Sequence, residues 1–216
     1  MLLNTSSPNQ SIKINDVYFN LNELEALAWK KLVNGAVKKK NGFRTMCVAT
    51  ISQDNCASVR TVVNRKVDEL QKIIYFHTDN RSRKFQELGI NNSISLLFYD
   101  SRQRVQIVVK ATAIFHTNDV IAADRWQATS PKAMLSYMTI DPPNTPSNEA
   151  TLGYAQKFQN SVPAKEESLP FQQNFSVVAC HVHQLEFLYL NFDGNYKANF
   201  YYKTGGVLEQ SEWAVP

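Results

Sequence analysis

Between Arg60 and Lys84 the sequence gathers the side chains best suited to grip a phosphate group. Arg60-Thr61-Val62-Val63 comes first, and after a strand and a turn comes His77-Thr78-Asp79-Asn80-Arg81-Ser82-Arg83-Lys84. Arginine offers a planar fork of donors to phosphate oxygens, and lysine adds a point charge. The hydroxyls of Thr78 and Ser82 supply neutral donors. A helix beginning near Ser82 would add backbone amides and the positive end of its dipole. The chemistry implied is binding of a phosphate monoester carried on a flat, partly apolar body. On residue types alone, the commoner reading of such a cluster is a solvated face.

These groups need elements to hold them. Residues 1–20 are polar and read as a flexible N-terminal arm, with residues 21–216 as a single domain. Asn20 followed by Glu23 forms an N-cap signature. Leu21, Leu24, Ala28 and Leu32 continue it at helical spacing to a stop near Lys38-Lys39-Lys40-Asn41-Gly42. From Arg44 to Phe115 the period becomes that of strands. Runs rich in Val, Ile, Phe and Tyr are predicted over Thr45–Ile51, Ser58–Asn64, Ile73–Thr78, Ser93–Tyr99 and Val105–Phe115, with one short helix at Ser82–Leu88. Val105 to Val109 reads as a strand covered on both sides. Short helices are expected from Asn118 to Trp126, over Lys132–Met138 and over Glu149–Asn160, then a polar excursion over Ser161–Phe175. The end returns to strands at Phe175–His183, Leu185–Leu190 and Tyr196–Lys203, turned at Asp193-Gly194 and Gly205-Gly206. The expected architecture is mainly β with flanking helices, a largely antiparallel barrel.

The order of these pieces resembles the pyridoxamine 5′-phosphate oxidase-like, FMN-binding split-barrel family. Arg-Thr-Val-Val, a strand, His-Thr-Asp, Arg-Ser-Arg-Lys and Ser95-Leu96-Leu97-Phe98-Tyr99 carry the likeness, with Arg104-Val105-Gln106 and Trp213-Ala214-Val215-Pro216 downstream. The resemblance is specific from about Met46 to Ala113. It implies an FMN-binding split β-barrel, and a homodimer with FMN at the interface. It also implies cofactor contacts from Arg60, Thr61, Val62, Val63, Arg65, His77, Thr78, Ser82, Arg83, Lys84 and Gln106, the last supplied by the partner subunit. Arg65 stands where the family usually has a lysine beside flavin and substrate. On an ideal strand Arg60 and Arg65 have opposite parity, so both reach one ligand only through a bulge or strong twist.

The substrate side departs from the oxidase. Its Tyr-x-x-x-Arg-x-x-x-Ser spacing is missing from Arg125 to Ala133, and its late Arg-Leu-His-Asp-Arg run is replaced by Asn195-Tyr196-Lys197-Ala198-Asn199. Losing an arginine from a buried phosphate removes a charge-assisted bond of ~1.5–3 kcal/mol, so pyridoxamine phosphate turnover is not expected. The leading reading is an FMN-dependent oxidoreductase of unknown small-molecule substrate. The alternative is a flavin-binding or flavin-sensing protein without turnover. No catalytic residue is assigned.

Composition limits the rest. With 216 residues, 44% apolar and 19% charged, the chain is an ordinary globular one. No apolar run approaches the ~20 residues of a membrane helix, and the start lacks a signal sequence, so a cytoplasmic protein is expected. Three cysteines argue against a disulfide framework, with Cys47 and Cys180 expected buried. His181 and His183 have no third metal ligand nearby, so no metal is expected. Seven glycines leave no Gly-rich phosphate loop. The net charge of +4 is compatible with an anionic ligand. A nucleic-acid partner is the weakest reading, because most of the aromatics alternate as core residues do.

Overall fold

The computed structural model describes residues 11–216. It opens on a hairpin, β1 (Ile12–Ile14) against β2 (Val17–Phe19), turned at Asn15 and Asp16, both with left-handed backbone. Ile12 and Ile14 share one face of β1 and are buried in the main core. The arm expected over residues 1–20 is therefore corrected from Ile12 to Phe19, where two alternating isoleucines dock the segment. Residues 1–10 of that arm lie outside the described residues.

Helix α1 (Leu21–Val37) starts at the expected capping box. The Glu23 amide donates to Asn20 Oδ1 at 3.0 Å, and the Asn20 amide donates to Glu23 Oε2 at 2.9 Å. Its buried face of Leu24, Ala28, Trp29 and Leu32 covers one end of the barrel. Gly35 lets the helix approach the next turn closely, since a Cβ there would lie 2.3 Å from the Phe43 carbonyl oxygen. Trp29 Nε1 donates to the Tyr202 hydroxyl at 2.8 Å, which donates to Glu25 at 2.9 Å, and Lys72 pairs with the same carboxylate at 2.8 Å. This buried relay fastens α1 to the sheet.

The strands follow as β3 (Thr45–Ile51), β4 (Ala57–Val63), β5 (Lys66–Asp68) and β6 (Ile73–Asp79). Helix α2 (Arg83–Ile90) leads to β7 (Ser93–Asp100) and β8 (Val105–Thr117). Then come α3 (Val120–Gln127), α4 (Pro131–Met134), α5 (Lys165–Ser168), β9 (Phe175–Tyr189), β10 (Tyr196–Tyr202) and β11 (Leu208–Ala214). The main sheet is antiparallel in the order β11-β10-β9-β8-β7-β3-β4. Strand β9 forks it: Phe175–His181 pairs with β6, while Gln184–Tyr189 pairs with β10. Contact between β4 and β6 closes the barrel. The two strands expected at Phe175–His183 and Leu185–Leu190 are one, bulged so that Lys110 faces Gln184 while Ala111 faces Val182.

Two cores result. Met46, Val48, Phe76, Leu96, Phe98, Ile107, Val109, Val178, Leu185 and Phe187 fill the barrel. A smaller core of Trp126, Met134, Tyr137, Met138, Phe158, Phe175 and Val177 lies under the helical segments on the other face of β6 and β9. The helix expected over Glu149–Asn160 is absent apart from a 3-10 turn at Gln156–Phe158. Gly153 takes φ +77°, and a Thr139–Tyr154 bridge keeps the chain extended there. The expected helix Lys132–Met138 is divided into α4 and a 3-10 turn, Leu135–Tyr137. The excursion before β9 contains α5 and a 3-10 segment, Leu169–Asn174. Strand β8 alternates rather than being covered throughout: Val105, Ile107 and Val109 are buried, while Gln106 and Val108 are half-exposed. Cys180 is buried as expected, but Cys47 only half so. Among the described residues no helix is long and apolar enough to cross a membrane, and no three His, Cys, Asp or Glu side chains gather for a metal.

Candidate functional site

Strand parity sorts the predicted contact residues into three groups. The inward face of β6 carries Ile74, Phe76 and Thr78, all buried, so Thr78 stands at the barrel end of that row. The chain then turns at Asp79-Asn80-Arg81 into α2, whose N-cap is Ser82. The Ser82 hydroxyl does not cap the helix. It lies 2.6 Å from the Asp79 carbonyl and 3.1 Å from Thr78 Oγ1, which leaves the first-turn amides of α2 free of a side-chain cap. Lys84 reaches back over this pair, its Nζ 3.2 Å from Thr78 Oγ1 and 3.3 Å from Ser82 Oγ. Phe85, stacked on Phe115 at 4.1 Å between ring centroids, seats the helix on β8.

Opposite Lys84 on α2, Arg60 of β4 meets a buried acid. Its guanidinium pairs with Glu87 Oε2 at 2.7 Å and donates to the Ser58 hydroxyl at 2.6 Å, the Ser58 carbonyl at 2.8 Å, and Thr50 Oγ1. Thr50 in turn donates to Glu87 Oε2 at 2.5 Å. Burial works to raise the Glu87 pKa, but the hydrogen bonds from Thr50 and Arg60 outweigh it and hold the carboxyl below its usual range. Burial first, and repulsion from Arg60 second, push the Lys84 ammonium below its ordinary value. Among the described residues no carboxylate pairs with Lys84. Arg83 is exposed and lines a cavity of about 580 Å³ together with Ser58, Gln86, Glu87 and the β3–β4 turn. Arg60, Thr78, Ser82 and Lys84 are thus brought together, with Arg83 at the rim.

Arg65 and His77 form a second group. His77 shares the outward parity of Tyr75, so it faces the small core, its ring 4.8 Å from that of Phe175. Both its ring nitrogens are buried without a hydrogen-bond partner. Burial, with Arg65 and Arg125 nearby, pushes its pKa down to about 3, so the imidazole is neutral. Arg65 follows β4 rather than lying in it, its amide bonded to the Tyr75 carbonyl at 2.9 Å. No bulge in β4 brings it to Arg60: the parity conflict is met by sending the two arginines to different places. Tyr137, whose hydroxyl burial pushes up to about 12, stands in the same region.

Thr61, Val63 and Gln106 form the third set. Thr61 lies on the outer face of the sheet opposite Cys47, and Gln106 lies on the same face between Tyr99 and Leu188. Val62 turns inward and packs on the barrel core. Among the described residues no hydrogen bond joins Gln106 to a cation of its own chain.

Sequence reading missed Thr50, Ser58 and Glu87. The available signal was Glu87 at helical spacing from Lys84, an acid on the face that Leu88 buries. The same reading included Arg81 in the cationic run, whereas Arg81 is fixed by Asp79 at 2.7 Å and donates to the Thr139 carbonyl and hydroxyl and the Ile140 carbonyl. Arg81 fastens the proline-rich loop rather than joining the cationic cluster.

An antiparallel barrel forked at one long strand, with a cationic helix start at its edge, is the split-barrel fold of the pyridoxamine 5′-phosphate oxidase-related FMN-binding proteins. Residues 26–117 match the family model described as pyridoxamine 5′-phosphate oxidase, FMN-binding domain, which bears out the resemblance read between Met46 and Ala113. One similar solved structure is a pyridoxamine 5′-phosphate oxidase-related, FMN binding protein from Nostoc punctiforme. It is 21% identical with a TM-score of 0.69, and the match covers 88% of this chain and 96% of that one. Another is PhzG from Burkholderia lata, solved in complex with tetrahydrophenazine-1-carboxylic acid. It is 18% identical with a TM-score of 0.66, covering 88% of this chain and 91% of that one. No curated protein matches the sequence. At these identities the structural likeness establishes the fold alone.

Proposed function

We propose that this protein binds FMN and works as an FMN-dependent oxidoreductase on a small molecule. The observation that carries the reading is Lys84, a half-buried ammonium beside Arg60 that only hydroxyls touch. A cation withdrawn from water and left without a counter-ion calls for an anion from outside. Lys84, Arg60 and Arg83 would hold the phosphate, with Thr78, Ser82 and the first amides of α2 as neutral donors. The backbone of Thr61 to Val63 is proposed to meet the polar rim of the ring, and Arg65 and His77 to border it.

Gln106 supports a homodimer. It sits on the outer sheet face, turned away from the barrel row that ends at Thr78, so it serves a ring only if that ring belongs to a second subunit. The same face exposes Val59, Leu97 and Tyr99 at 64%, 38% and 48%. FMN, when bound, supplies hydride or two-electron transfer. The chain's own part is to bind, orient and shield it. A second reading, a flavin holder without turnover, is favoured by the missing oxidase residues at Asn195–Asn199 and by a neutral His77 unfit to donate a proton.

The test begins with the visible spectrum of the purified protein and the flavin content of its denatured supernatant. A yellow protein releasing FMN is expected, and Lys84→Ala should weaken FMN binding about ten- to hundredfold. A colourless protein that also fails to bind added FMN overturns the proposal. Anaerobic titration with nicotinamide donors separates the two readings: reduction of the bound flavin supports the oxidoreductase, and no reduction supports the holder.

A further inference from the structure

We infer that Glu87 is a positioning residue that sets Arg60 for a phosphate monoester, and that it thereby makes the site choose FMN over the phosphate-free flavin, riboflavin. The inference rests on the FMN reading above. Three observations carry it. Glu87 is 3% exposed on α2, the same helix that carries Arg83 and Lys84. One of its oxygens, Oε2, is the shared acceptor for Arg60 and Thr50, while Oε1 is buried with no partner at all. Arg60 therefore stands in a closed triangle with Thr50 and Glu87, held from below rather than by solvent.

A buried acid beside a phosphate site is an electrostatic liability, because it opposes the charge that the site is built to receive. Its retention at that spot needs a compensating role. The geometry supplies one. A guanidinium has five donors in one plane, and fixing the four terminal ones against Glu87, Ser58 and Thr50 fixes where the remaining one, Nε–H, points and where the positive charge sits. A long side chain ordered before binding gives up less freedom when the anion arrives. Glu87 also offsets one of the three cations, so the free site is less self-repelling. The role is exerted wholly through Arg60. It should be felt by a ligand that bears a phosphate and not by one that lacks it.

The experiment measures dissociation constants for FMN and riboflavin by flavin fluorescence, on the full chain freed of flavin. Glu87→Met keeps the volume but removes the acceptor, and is expected to weaken FMN at least tenfold while riboflavin changes less than twofold. Glu87→Gln retains an acceptor for Thr50 and Arg60, and should keep FMN within about threefold of the parent. In the Arg60→Ala background Glu87→Met should add nothing, since the two act as a unit. Thr50→Val, nearly the same shape, removes another corner of the triangle and should lower the FMN-to-riboflavin preference several-fold, which keeps the inference testable if Glu87→Met does not fold. An unchanged preference in either Glu87→Met or Thr50→Val, or equal loss of both flavins, overturns the inference. A parent protein that binds neither flavin fails the FMN reading instead, so the two failures are told apart.

Discussion

Arg60 and Arg83 differ in what their loss leaves behind. Removing Arg60 strands the Glu87 carboxylate, 3% exposed and already short of one partner, without its counter-charge. Breaking a buried pair in this way costs about 3–5 kcal/mol. Arg83 is exposed and makes no ion pair among the described residues, so Arg83→Ala should stay within about 0.5 kcal/mol of the parent. Urea unfolding of the two flavin-free variants checks this, and similar midpoints would show that the Glu87 pocket relaxes or fills with water. At this scale the sequence was partly legible. Arg60, Thr78, Ser82 and Lys84 could be grouped from type and order, because strand ends and helix starts concentrate donors. Glu87 could not, because an acid next to a proposed anion site reads as an objection until its burial and its two donors are seen.

Strand β6 is the element that divides the candidate site, since its alternation sends Thr78 toward Ser82 and Lys84 and His77 toward the small core. His77 carries a pH dependence with it. In the unfolded chain its pKa is the ordinary 6.5, and in the fold it is pushed down to about 3. Between these values the unfolded state binds the extra proton, so stability is full above about pH 6.5 and is lost as pH falls toward 3. By pH 5 the loss from this residue is about 2 kcal/mol. His77→Phe suits the edge-on packing with Phe175 and leaves no buried nitrogen unpaired, so it should remove that component. Comparing urea unfolding at pH 7 and pH 5 for both proteins measures it, and an equal acid loss in the variant would assign the effect elsewhere. Elements of strong period were readable: α1 with its capping box, and β3, β6, β7 and β8, lie within two residues of expectation. The hairpin of Ile12 to Phe19 and the three-residue β5 were not, because short segments carry too few residues to show a period. The helix expected at Glu149 gave way to the left-handed Gly153 and the Thr139–Tyr154 bridge, which are tertiary facts.

For the molecule as a whole, the proposed homodimer puts the subunit contact on the outer sheet face. Leu97 lies in a cross-strand row with Cys47 and Val108, flanked by Thr61, and it is exposed in the single chain. Leu97→Glu should leave the monomer fold intact, as judged by circular dichroism, yet shift the elution volume from dimer to monomer and weaken FMN binding. A variant that stays dimeric with full affinity would place the subunit contact on another face. That the fold is a largely antiparallel barrel could be argued from the strand pattern, and that it is a split barrel from the family resemblance its motifs carry. Which face meets a partner could not, because alternation marks a side as half-polar without saying what covers it. Strand β9 has a last consequence, for synthesis. Because this one late segment is the neighbour of β6, β8 and β10, the nascent chain has no means of closing its barrel until Tyr189 has left the ribosome. Threonine, serine and lysine at the mouth of β6 are made early but are backed by β9 only then, so the proposed cofactor would find its site complete only after that strand has been made.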